Sequence, residues 1–130
     1  MIFGIGVDIC SIERIEKNIK NLGCYFYNLI LTKNEIKQYK FEKDSAKFLA
    51  HIFAAKEAFY KAFNSPNQKL INWKDVEVCK QKNNLYKLEL SEKTKHILEK
   101  SLPKTIHYNV KISFFLLKKF VICTIIISYL

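Results

Sequence analysis

Glycine and proline are scarce, three and two residues respectively in a chain of 130, and no stretch is repetitive or linker-like. Without such punctuation the chain reads as one continuous unit. Acidic residues are also few, 12 against 22 Lys and Arg, so the net charge is +10 and the pI about 9.4. That excess favours an anionic partner: nucleic acid, a membrane surface, a phosphorylated small molecule or an acidic protein. The lysines are scattered singly from Lys17 to Lys119 among Glu and Asp, with no block of like charge, which argues against a nucleic-acid tail. Long apolar runs are lacking too. The longest, Phe120 to Leu130, is too short to span a bilayer and is cut off by Lys118 and Lys119. The four cysteines form no CxxC pair and have no histidine at finger-like spacing, which excludes zinc-finger and redox motifs and fits a reduced compartment. The N-terminal residues lack the basic-then-apolar pattern of a secretory signal. A cytoplasmic protein with no membrane partner is expected, or a plastid or apicoplast one if the source is a plastid-bearing parasite whose leader is missing from this sequence.

What is present is a composition that folds. Hydrophobic residues make up 49% and aromatics 14%, enough for the core of a single domain spanning residues 1–130 and too little for two. Residues 2 to 9 alternate Ile5, Val7 and Ile9 with Gly4, Gly6 and Asp8, the period of a strand with one face of almost bare backbone ending in a carboxylate. Ser11 caps a helix with Ile12, Ile15 and Ile19 on one side, stopped by Gly23. Thr32 and Glu35 form a capping-box signature, and Ser45 is placed to cap the longest helix, which runs to about Phe63. Val76 and Val78, the Asn83–Asn84 turn, and Leu85 to Leu90 predict a hairpin. Ser91 opens a helix that Pro103 closes off, and strands are predicted near 106 to 113 and 120 to 128. The fold class is α+β, a largely antiparallel sheet packed by a long central helix.

On the long helix, large residues from Leu49 to Phe63 cover one arc, and Ala55, Ala58 and Ala62 another. Between them Glu57 and Lys61 sit one turn apart on a narrow face otherwise made of Ala50 and Ala54. Singly, such a pair is an ordinary i,i+4 salt bridge and Asp8 an ordinary strand end. Together, two carboxylates on rigid elements with an adjacent ammonium can hold one Mg²⁺ and share a pyrophosphate with it.

Three stretches carry a resemblance: GIGVDI at 4 to 9 followed by IERI at 12 to 15, LTKNE at 31 to 35, and FLAHIFAAKEAFYKAF at 48 to 63. Their order and spacing resemble those of AcpS-type 4′-phosphopantetheinyl transferases. The resemblance implies a Mg²⁺-dependent enzyme of fatty acid biosynthesis. It would move 4′-phosphopantetheine from coenzyme A to a serine of apo acyl carrier protein, as a homotrimer with sites at its subunit interfaces. It implies that Asp8 and Glu57 ligate the metal, that Lys61 meets the coenzyme A phosphates, and that Lys56 contributes a phosphate contact. On the helical wheel, however, Lys56 falls within the large-residue arc, where a lysine stem covers core surface and its head reaches out to solvent. Arg14 matches a helix residue that faces acidic groups of the carrier protein, with Lys17 and Lys20 extending the basic face.

The chain departs from the family pattern in three places. Ile52 stands where an arginine is usual, with His51 beside it as a substitute coenzyme contact. The glycine-bearing loop after the helix reads Asn64, Ser65 and Pro66, with Ser65 expected at the coenzyme, and the Ser-His pair near the C terminus reads Ser113 and Phe114. Two rival readings remain: a basic nucleic-acid-binding domain, and a relative that binds a coenzyme A fragment without turnover. Finally, FVICTIII at 120 to 127 predicts a strand buried on both faces, one of them by neighbouring copies of the chain.

Overall fold

The computed structural model describes residues 1–104 and 107–130. Strand β1 (Ile2–Ser11) leads into helix α1 (Ile12–Leu22), capped by the Ser11 hydroxyl, which accepts from the Arg14 amide. Gly23, at φ +58°, ends α1, and a short helix absent from the sequence reading, α2 (Cys24–Ile30), starts directly after it. The glycine closes one helix without preventing the next, because its positive φ only turns the chain.

Helix α3 (Lys33–Phe41) begins with the full capping box, Thr32 and Glu35 bonded to each other's backbone amides. The central helix α4 (Ser45–Ala62) is capped by Asp44 rather than Ser45, since the Asp44 carboxylate accepts from Lys47 N and leaves Ser45 as the first helical residue. Single 3-10 turns at Pro66–Leu70 and Trp73–Asp75 carry the chain to the hairpin β2 (Val76–Lys80) and β3 (Tyr86–Leu90). Asn83 and Asn84 both take positive φ in its turn. Helix α5 (Glu92–Ser101) follows, then β4 (Tyr108–Leu117) and β5 (Phe120–Tyr129). The expected start of β4 at 106 lies outside the described residues.

The strands form a three-stranded antiparallel sheet in the order β1-β5-β4 and a separate two-stranded hairpin. Helix α4 packs on β1 and β5. Its Leu49, Ile52, Ala54, Ala58, Phe59 and Ala62 are fully buried, so Ile52 fills core volume where an arginine would need solvent or a partner. Strand β5 does not bury both faces within the chain: Val121, Cys123, Ile125 and Ile127 point into the core, and Ile122, Thr124 and Ile126 lie partly open on the far side. No helix among the described residues is long and apolar enough to cross a membrane.

Candidate active site

The face of β1 turned toward α4 is the one with hardly any side chains. A Cβ built on Gly4 would lie 1.9 Å from the Ala62 carbonyl oxygen, and one on Gly6 1.8 Å from that of Ala58. Strand and helix backbones therefore touch, which only glycine against alanine allows. The next residue on that face is Asp8, and the close approach delivers its carboxylate to the helix. Lys61 Nζ donates to Asp8 Oδ1 at 2.9 Å and to the Val7 carbonyl at 3.2 Å.

Asp8 Oδ2 is buried and has no hydrogen-bond partner among the described residues. Glu57 is half-buried on the same side of α4. Burial pushes its carboxyl above the usual carboxylate range, the negative charge of Asp8 pushes it further, and Lys61 offsets part of this. Two carboxylates that repel each other, one with an orphaned buried oxygen, form a hard oxygen donor set. These residues fit a divalent cation. The Lys61 side chain is 50% exposed and that of Asp8 only 12%, so the ammonium stands at the mouth of the site and the carboxylate lies inside it.

The other expected contacts are placed differently. Lys56 is turned away from this face and is 4% exposed. Its Nζ donates to Glu35 Oε1 at 2.6 Å and to the Ile30 carbonyl at 2.7 Å, so it neither reaches solvent nor offers a charge to a phosphate. The reason is Glu35, a second buried charge in the capping box that demands a partner. Ser65 shares a hydrogen bond with Ser101 at 3.1 Å and caps the Asn67 amide, which ties the loop to α5. His51 bonds the Lys47 carbonyl through Nδ1 and packs against Phe114, at 4.9 Å between ring centres, and Tyr86 at 6.0 Å, which touch each other at 4.8 Å. Burial holds its imidazole below the ordinary histidine range, so it supplies no steady positive charge.

His51, Tyr86 and Phe114, with Lys43, Lys47 and Lys80, line a cavity of about 740 Å³. His51 and Phe114 stand out in the sequence, whereas Tyr86 and these lysines do not, because they come from the α3–α4 junction, α4 and the hairpin. A second cavity, about 310 Å³, opens beside Glu57 and is walled by Tyr60, Ile71, Asn72 and Trp73. Glu77, Cys79 and Glu89 also cluster on the hairpin. There Glu77 accepts from Thr32 and Glu89 pairs with Lys87, while burial and nearby carboxylates hold the Cys79 thiol protonated up to about 11. Arg14, Lys17 and Lys20 are exposed on α1, whose first turn follows the Asp8 strand directly.

The sheet places Asp8 opposite Cys123 and Phe114 opposite Cys123 from the other side, one row across β1, β5 and β4. The opposite face carries the rows Ile9, Ile122, Phe115 and Val7, Thr124, Ser113. Ile5, Val7 and Ile9 are 55%, 46% and 62% exposed, an open apolar face on the back of the strand that positions Asp8.

Comparison with known proteins gives consistent findings. Residues 4–124 match the model of the 4′-phosphopantetheinyl transferase superfamily. The holo-acyl-carrier-protein synthase of Vibrio atlanticus is 33% identical over 109 residues, covering 84% of this chain and 86% of the relative. The crystal structure of the Neisseria meningitidis holo-acyl-carrier-protein synthase superposes with a TM-score of 0.87 at 26% identity, covering 98% of this chain and 99% of that one. The Helicobacter pylori synthase in complex with coenzyme A gives 0.78 at 27% identity, with 95% and 99% covered.

Proposed function

The chain belongs to the 4′-phosphopantetheinyl transferase superfamily, and from that premise we propose how its residues 1–130, acting as one domain, perform the transfer. It is an enzyme that moves 4′-phosphopantetheine from coenzyme A to a serine of apo acyl carrier protein in fatty acid biosynthesis. The serine hydroxyl gives up its proton to solvent as its oxygen attacks the phosphorus next to pantetheine and forms the new P–O bond. The bond from that phosphorus to the bridging oxygen breaks, and its electron pair leaves with adenosine 3′,5′-bisphosphate.

The observation that carries this reading is the orphaned, buried Asp8 Oδ2 beside Glu57 and Lys61. Asp8 and Glu57 would hold Mg²⁺, which when bound polarises the pyrophosphate and offsets its charge. Lys61 lies at the mouth of the site, where its ammonium can leave Asp8 for a phosphate oxygen and stabilise the leaving group. The basic face of α1, Arg14, Lys17 and Lys20, would steer the acidic carrier protein so that its serine arrives beside Asp8.

The open rows on the back of the sheet support a homotrimer in which coenzyme A lies across two chains. An apolar sheet face of this kind is normally covered. The aromatic and lysine-lined cavity around Tyr86 and Phe114, with His51 packed in its wall, would take the nucleotide end in this arrangement. Ser65, bonded to Ser101 of α5, would act only through the loop it anchors. The free cysteines support a reduced, cytoplasmic setting.

The test is Mg²⁺-dependent labelling of an apo carrier protein with fluorescent coenzyme A. Glu57→Gln is expected to abolish labelling and leave the melting temperature nearly unchanged, because it removes a charge and no core volume. Most activity surviving in saturating Mg²⁺ overturns the assignment. Coenzyme A binding without any labelling would indicate a relative that has lost turnover.

A further inference from the structure

Glu35 and Lys56 are the charged residues buried deepest among those described, 2% and 4% exposed, and the transfer itself uses neither. Around them four segments meet. Glu35 Oε1 accepts from Lys56 Nζ at 2.6 Å and from Thr32 N at 2.8 Å, and its Oε2 accepts from Val78 N at 2.7 Å. Lys56 Nζ also donates to the Ile30 carbonyl at 2.7 Å. One ion pair thus joins the end of α2, the start of α3, strand β2 and the middle of α4.

Stability alone does not account for such a pair, because buried ion pairs can often be replaced by apolar side chains at no loss. Its directionality does. On the opposite side of α4, Ala58 and Ala62 meet Gly4 and Gly6 of β1 backbone to backbone. Smooth glycine and alanine surfaces fix how near strand and helix approach, but they have no ridges to stop the helix rolling. Lys56 lies roughly opposite Ala58 around the helix, and Glu57 lies about 100° from each. A hydrogen-bonded anchor at 56 therefore adds a directional restraint on the roll to the packing of Leu49, Ile52 and Phe59 and to the exposed Lys61 contacts with Asp8 and Val7.

We propose that the Glu35–Lys56 pair is a positioning device for Glu57, fixing the rotation of α4 and with it the direction in which the Glu57 carboxylate meets Asp8. The inference rests on the reading that Asp8 and Glu57 hold a divalent cation. A carboxylate stands roughly 5–6 Å from the helix axis, so a roll of about 10° moves it by about 1 Å. Hard-cation sites do not tolerate that displacement, and groups that orient ligands are typically worth about ten- to a hundredfold in metal affinity.

The experiment measures Mn²⁺ binding to the full chain by electron paramagnetic resonance, well below the melting temperature, alongside the Mg²⁺ concentration giving half-maximal transfer. Lys56→Met should weaken Mn²⁺ binding by roughly ten- to a hundredfold and raise the Mg²⁺ requirement by a similar factor, with the rate largely recovered at high Mg²⁺. A role confined to stability would lower the folded fraction equally at all metal concentrations. If Lys56→Met does not fold, the double variant Glu35→Gln/Lys56→Met, which leaves no buried charge, replaces it with the same expectation. Wild-type Mn²⁺ affinity in a folded variant overturns the positioning role. Failure of Glu57→Gln to weaken Mn²⁺ binding overturns the metal-site reading beneath it, so the two failures are distinguishable.

Discussion

Gly6→Ala tests the geometry that builds the site. The added methyl would lie 1.8 Å from the Ala58 carbonyl oxygen, where ordinary contact begins at 3.4 Å, so strand and helix would have to part by about 1.6 Å. Backbone faces backbone there, and no flexible side chain can swing aside. Overpacking of side chains costs about 1–3 kcal/mol, and a backbone clash should fall at or above the top of that range. For a chain of this length a loss of roughly 3 kcal/mol lowers the melting temperature by about 10–15 °C. Asp8 is two residues away on the same face, and a misplacement of about 1 Å in a catalytic group can cost about a hundredfold in rate. Thermal denaturation followed by circular dichroism, and the transfer assay at 20 °C, would measure both effects. Gly4→Ala meets the Ala62 carbonyl at 1.9 Å but lies farther from Asp8, so it should destabilise equally and slow transfer less. Gly23→Ala meets nothing within 4 Å and should cost only backbone strain at φ +58°, ψ −139°, about 1–3 kcal/mol. A Gly6→Ala protein that melts within 2 °C of wild type and keeps its rate would refute the close-approach account.

Further outcomes follow from the same structure. Arg14→Glu should raise KM for the carrier protein at least tenfold and leave KM for coenzyme A nearly unchanged; equal effects would move Arg14 into the nucleotide site. Ile126→Lys, on the open face of the sheet, should yield a folded protein that no longer assembles or transfers, whereas Ile125→Lys, fully buried one position earlier, should fail to fold. Light scattering with circular dichroism separates the two, and a fully active wild-type monomer at assay concentration would contradict the shared site. Burial holds the Cys10 thiol up to about 11 and that of Cys123 up to about 12, so near pH 8 both stay protonated and unreactive. Iodoacetamide at pH 8 should therefore alkylate exposed Cys24 first, and Cys10 and Cys123 only after unfolding, as read by mass spectrometry.

Most of the elements, though not the helix Cys24–Ile30, and the proposed metal-site residues can be read from the sequence because they are written in short periods. The alternation in residues 2 to 9, the 3.6-residue spacing from Leu49 to Phe63 and the Thr32–Glu35 capping box are local patterns, and local physics decides them. Asp8, Glu57 and Lys61 stood out as charges on faces otherwise made of glycine and alanine. Which face of β1 goes inward is settled by its packing against α4. Alternation defines two faces without ranking them, and here the bare glycine face is buried while Ile5, Val7 and Ile9 stay open, the reverse of what hydrophobicity alone favours. The direction of Lys56 was equally hidden. Its partner Glu35 lies 21 positions earlier, and a wheel drawn for α4 alone holds no information about a carboxylate delivered by another helix.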